Sequence, residues 1–125
     1  MNLPEEDIEF LRAEYSRRWK PVSEGDKEGL IIKNYRLPRG YTPEKSDLLL
    51  LIPSDYPTGM IDMFYFDPEV LREDGSSIAA LAPESHFERT WQRWSRHYPW
   101  RPSVDSIATH MTYVKNQLIS ELPKV

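Results

Sequence analysis

The chain contains no cysteine in 125 residues. That excludes disulfides, thiolate metal sites, dithiol redox chemistry and any thioester carried by the chain itself. Histidine is scarce too. His86, His97 and His110 show no close metal-ligand spacing, so neither a metal nor a cofactor is expected. Positive charge is not in excess: the net charge of −4 draws the chain neither to nucleic acid nor to an anionic membrane. Long apolar runs are missing. The longest, Leu48 to Ile52, falls far short of the roughly 20 residues that cross a bilayer. The N-terminus, Met1-Asn2-Leu3-Pro4-Glu5-Glu6-Asp7, lacks the basic-then-apolar pattern of a signal peptide. These absences lead to the expectation of a soluble, cytoplasmic protein.

Proline, by contrast, is abundant, with eleven against five glycines. That points to short strands and shaped loops, not a helical bundle. The apolar fraction of 39% and the length suit one domain over residues 1–125. Ile8, Leu11 and Tyr15 recur at helical spacing, and acidic residues precede basic ones, so residues 3–17 read as an amphipathic helix capped by Asn2 with Glu5 in a capping box. Trp19 to Ser23 and Leu30 to Leu37 read as strands joined by a turn between Gly25 and Gly29. Asp47 to Ile52 suits a strand buried on both faces, and Met60 to Phe66 reads as another strand. Residues 67–102 show no sustained period, with Phe87 to Arg96 compatible with a helical turn or two. After Pro102, a helix capped near Ser103 carries one apolar stripe: Val104, Ile107, Ala108, Met111, Val114, Leu118 and Leu122. The order implies an α+β fold: an N-terminal helix, an antiparallel meander of about four strands, an irregular segment, and a C-terminal helix packed on the sheet.

Three landmarks carry a resemblance. Tyr56-Pro57 lies between two strands, Asp67-Pro68-Glu69 follows the fourth strand, and Trp100-Arg101-Pro102 opens the last helix. They resemble, in order, the Tyr-Pro turn, the His-Pro-Asn turn and the Trp-Ser-Pro of the ubiquitin-conjugating (UBC) superfamily. The run Trp91-Gln92-Arg93-Trp94-Ser95-Arg96-His97 is most similar to the prokaryotic UBC-like family E. The resemblance implies a UBC-like fold over roughly residues 3–122, without the two C-terminal helices of eukaryotic members. It also implies a bacterial protein acting among ubiquitin-like proteins, their activating enzymes and JAB-type isopeptidases.

The chain departs from that pattern at the chemistry. The family's cysteine follows the His-Pro-Asn turn by about ten residues, which lands on Ser77. It precedes the tryptophan by about eight, which lands on Gln92. The anchors disagree by fifteen residues, so the segment holds an insertion. The family's asparagine amide, a donor to the developing oxyanion, is here Glu69, whose carboxylate repels negative charge. The reading is therefore a cysteine-less UBC-like adaptor that binds the ubiquitin-like protein, its activating enzyme, or both. The family's contact with the activating enzyme would map to the first helix, through residues such as Glu6, Arg12 and Arg17. A conjugating enzyme using a serine oxyester is the enzymatic alternative, with Ser77 or Ser76 as carrier and a histidine such as His97 as base. The plain alternative for the serines is turn geometry, and for His97 packing among aromatic rings. Trp91, Arg93, Trp94, Arg96 and Trp100 suit a protein interface, internal cation–π packing, or a single-stranded nucleic-acid surface. The acidic total weakens the last.

Overall fold

The computed structural model describes residues 2–123. Helix α1 (Glu5–Tyr15) precedes strands β1 (Trp19–Glu24), β2 (Lys27–Arg36), β3 (Tyr41–Thr42), β4 (Lys45–Leu51) and β5 (Phe64–Asp67). Then come β6 (Leu71–Arg72), β7 (Leu81–His86), β8 (Arg89–Trp94) and helix α2 (Ile107–Ser120). The main sheet is antiparallel in the order β1-β2-β4-β5-β8-β7, and β3 pairs with β6 apart from it. The expected α+β architecture is thus present, with the meander formed by β1, β2, β4 and β5.

The segment expected to be irregular holds the main addition. Residues 81–94 form a β-hairpin that extends the sheet beyond β5, and no helical turn forms between Phe87 and Arg96. This hairpin accounts for the extra length between Asp67 and Trp100. Its two-residue loop, Phe87-Glu88, has φ of 54° and 62°, as a type I′ turn requires. Such turns usually announce themselves as Asn-Gly or Asp-Gly, so no sequence signal marked this one. The first hairpin does carry a signal: Gly25, at φ 60°, opens a two-residue loop between Glu24 and Lys27, the first-position glycine that a type II′ turn prefers. Both edge strands carry a proline, Pro21 in β1 and Pro83 in β7. Edge strands are where a missing N–H is tolerated and where it discourages pairing with another chain.

The helices cover one face of the sheet. Leu11 and Tyr15 of α1 and Ile107, Met111, Val114 and Leu118 of α2 pack on Leu30, Ile32, Leu48, Leu50, Phe64, Phe66 and Trp94. Leu49 points the other way, into a smaller cluster with Ile31, Tyr65 and Trp91. The dual burial expected of the Leu48–Ile52 run has this origin. Leu48, Leu49 and Leu50 are wholly buried, which stabilises the fold by about 1.5–3 kcal/mol each. The twisted β7–β8 hairpin lays its tip over the second face. Phe87 packs there against Gly29, where a Cβ would approach the Phe87 ring to 2.7 Å.

Helix ends differ from expectation. Pro4, not Asn2, stands at the N-cap of α1, with no side-chain cap. Helix α2 starts at Ile107 behind Ser106, whose N–H donates to Thr109 Oγ1 at 2.9 Å. Residues 102–105 form a turn instead, leaving Val104 54% exposed and outside the apolar stripe.

Candidate functional site

The first and third landmarks meet in space. The Tyr56 and Trp100 rings lie 6.2 Å apart, and Trp100 Nε1–H donates to the Pro57 carbonyl at 2.9 Å. The Tyr56 hydroxyl donates to Asp7 of α1 at 2.7 Å and accepts the Ile107 N–H at 2.8 Å, tying both helices to one ring. Burial pushes the Asp7 carboxyl above its ordinary value, against the pull of that hydroxyl.

The second landmark borders a groove of about 500 Å³ lined by Asp67, Pro68, Glu69, Leu71, Pro83 and Gln92, among others. Ser46 donates to the Pro68 carbonyl at 2.6 Å. Gln92, on β8 opposite Phe66, grips the backbone just beyond the turn. Its Oε1 accepts the Val70 N–H at 2.9 Å and its Nε2 donates to the Val70 carbonyl at 3.0 Å. Oε1 also accepts the Trp94 indole N–H at 2.9 Å. The position reached by counting back from Trp100 therefore holds an amide that makes three structural hydrogen bonds. Sequence spacing had marked Gln92 as a site of lost chemistry, and no pattern signalled its structural task.

Ser76 and Ser77 sit in the exposed loop after β6. Ser76 donates both its backbone N–H and its hydroxyl to Asp74 Oδ1, at 2.8 and 2.6 Å. These bonds hold the Asp74 carboxyl below its ordinary range, which makes it a weak base for activating that hydroxyl. The Ser77 carbonyl accepts from Arg72 at 2.6 Å. The histidines are occupied elsewhere. His97, exposed, pairs its Nδ1 with Asp62 at 2.7 Å. His86 Nδ1 accepts from Lys27 at 2.9 Å while Nε2 meets Glu84 at 2.5 Å. His110 is buried, donates to the Met63 carbonyl and accepts from the Tyr98 hydroxyl, and desolvation pushes its pKa down to about 4. Among the described residues no cluster of His, Asp and Glu could hold a metal.

The aromatic–arginine segment is woven into the fold. Trp94 is stacked on Phe64 and fully buried, and Trp91 is buried under the Arg89 guanidinium, 4.2 Å from the ring. Arg93 meets Glu84 at 2.9 Å, Arg89 meets Asp47 and Asp67, and Arg101 meets Asp105. Arg96 is 9% exposed and forms a bidentate pair with Glu121, with both bonds at 2.6 Å. It also donates to the carbonyls of Ala79 and Ala80. Glu121, a polar position next to Leu122 at the end of the apolar stripe, carries no signal in sequence. On α1, by contrast, Glu6 and Arg12 are exposed, as is Arg17 just after it.

Comparison with known proteins shows that residues 3–121 fit the model of prokaryotic E2 family E. No curated protein and no solved structure matches.

Proposed function

The chain belongs to prokaryotic E2 family E and is a ubiquitin-conjugating-like protein without cysteine, and from that premise we propose that it works as a non-covalent adaptor. It binds a ubiquitin-like protein, its activating enzyme, or both, in a bacterial modification pathway of the cytoplasm, alongside a JAB-type isopeptidase. One observation carries the reading: beside the Asp67-Pro68-Glu69 turn, Gln92 is committed to Val70 and Trp94, and no thiol exists to accept an acyl group. Ser76, bound to a carboxylate held in its weakly basic form, lends the oxyester alternative little activation. Exposed Glu6, Arg12 and Arg17 supply the surface for the activating enzyme.

Intact mass spectrometry after incubation with the cognate ubiquitin-like protein, activating enzyme and ATP tests this. The expected result is no adduct, together with measurable binding to at least one partner that weakens on Arg12→Glu/Arg17→Glu. A hydroxylamine-sensitive adduct on Ser76 or Ser77 overturns the adaptor reading in favour of an enzyme.

A further inference from the structure

A second groove lies away from the three landmarks. It measures about 820 Å³ and runs between α1, the end of β2 and α2, within the range of roughly 300–1,000 Å³ typical of ligand-sized concavities. It shares no lining residue with the groove beside Asp67. Ala108, Met111, Thr112, Lys115 and Ile119 line it from α2, at the spacing of one helical face. Phe10 and Glu14 do the same from α1. Its walls are apolar, formed by Phe10, Tyr15, Tyr35, Leu37, Pro38 and Met111, and Ile119 at its rim is 48% exposed.

The rim carries Arg18, Arg36 and Lys115 against one acidic residue, Glu14. Among the described residues none of these three cations forms an ion pair. Arg18 donates only to the carbonyls of Lys33 and Asn34 and lies 5.7 Å from the Tyr15 ring. The imbalance extends along the chain: from Arg12 to Arg39 there are eight basic and four acidic residues, in a protein of net charge −4. An apolar trough with uncompensated positive charge on its rim complements one kind of ligand. Its apolar side chains fill the trough while its carboxylates meet the rim, the arrangement of helix-in-groove recognition.

We propose that this groove is a docking site for an acidic linear peptide bearing large apolar side chains. The apolar residues lie on Phe10, Leu37, Met111 and Ile119, and the carboxylates engage Arg18, Arg36 and Lys115. Tyr15 and Tyr35 are only 8% exposed, leaving little ring face for bases to stack on, and the chain's net charge of −4 disfavours a nucleic-acid backbone, so the apolar walls favour a peptide. The site stands independent of the adaptor reading and needs neither a ubiquitin-like protein nor an activating enzyme.

A phage-displayed library of random 12-residue peptides, selected on the full chain, is the probe. The most enriched peptide is then synthesised, labelled and followed by fluorescence anisotropy. The expected outcome is enrichment of sequences combining Asp or Glu with Leu, Phe or Trp. Affinity should fall at least tenfold in each of Arg36→Glu, Lys115→Glu and Ile119→Asp, and fall again between 50 and 300 mM salt. The two charge reversals lie at exposed positions, so an unchanged melting temperature separates lost binding from lost fold. Enrichment of basic or uncharged peptides overturns the proposal, as does an absence of enrichment or an affinity indifferent to Arg36→Glu and Lys115→Glu. Displacement of the peptide by an equal concentration of oligothymidylate overturns it in favour of a phosphate-binding face.

Discussion

The arginines of the two halves of this chain carry the same charge in opposite circumstances. Arg89, Arg93, Arg96 and Arg101 each face a carboxylate: Asp47 and Asp67, Glu84, Glu121, and Asp105. Among the described residues Arg12, Arg17, Arg18 and Arg36 face none. In sequence the first set stands out, because it alternates with Trp91, Trp94 and Trp100. Its charge is consumed internally, fixing the β7–β8 hairpin and the loop before it to the rest of the molecule. The charge left over for a partner sits on and beside α1, where no aromatic alternation advertises it. Density of a motif and availability of its charge are separate properties, and only folding distinguishes them.

The sharpest way to break the comparison is to remove one internal carboxylate. Arg96 and Glu121 are nearly buried, with side chains 9% and 16% exposed. Burial works against ionisation of Glu121, but the Arg96 guanidinium and the Gln117 amide outweigh it and hold the carboxyl below its ordinary range. Glu121→Ala strands the guanidinium, so stability should fall by about 3–5 kcal/mol, read as the midpoint of urea unfolding. A change under about 1 kcal/mol would place Arg96 with the surface arginines and dissolve the distinction. Because the Glu121 carboxyl is depressed in the fold, its contribution is complete above the ordinary glutamate range and is lost as pH falls through the lower folded value.

His110 sharpens the comparison from another side. It is a buried base with no carboxylate bonded to it, and it meets that condition by giving up its charge. Below about pH 6.5 the unfolded chain takes a proton on this imidazole, whereas the folded chain refuses it until about pH 4. The unfolded state then holds more protons, so stability falls as the pH drops. The loss attributable to His110 between pH 6.5 and pH 5 should be roughly 2 kcal/mol. Urea melts at the two pH values, compared with His110→Gln, measure it; equal pH slopes in both proteins would refute the assignment.

How much of this was legible beforehand follows from the range of the forces involved. Helix α2 and the Leu48–Leu50 strand were readable because their apolar period is a local property of ten or so residues. The β7–β8 hairpin was not, since its turn residues are Phe87 and Glu88 and its strands contain Pro83, Glu84 and Arg93. It is held by pairing to β5 and by Phe87 against Gly29, contacts that no local window contains. The same applies to the candidate sites. Counting from Trp100 reached Gln92, but the clamp on Val70 depends on a neighbour 22 residues away. Asp7 read as one acid among three at a helix start, yet it is buried because Tyr56 reaches it from 49 residues away.

The gentlest prediction concerns the uncompensated set. If Arg36 and Lys115 owe nothing to internal partners, reversing their charge removes no native ion pair and buries nothing new. Exposed substitutions of that kind stay within about 0.5 kcal/mol, so Arg36→Glu and Lys115→Glu should unfold at the wild-type urea midpoint. The contrast with Glu121→Ala is then severalfold in free energy, although the charge reversals alter the side chain more drastically. A loss above about 1 kcal/mol in either variant would reveal a hidden structural role for that cation, and with it the reason to regard the α1–α2 rim as free for a partner would disappear. Neutrality in both leaves their conspicuous exposure beside an apolar groove without a stabilising purpose, which is the condition a binding surface requires.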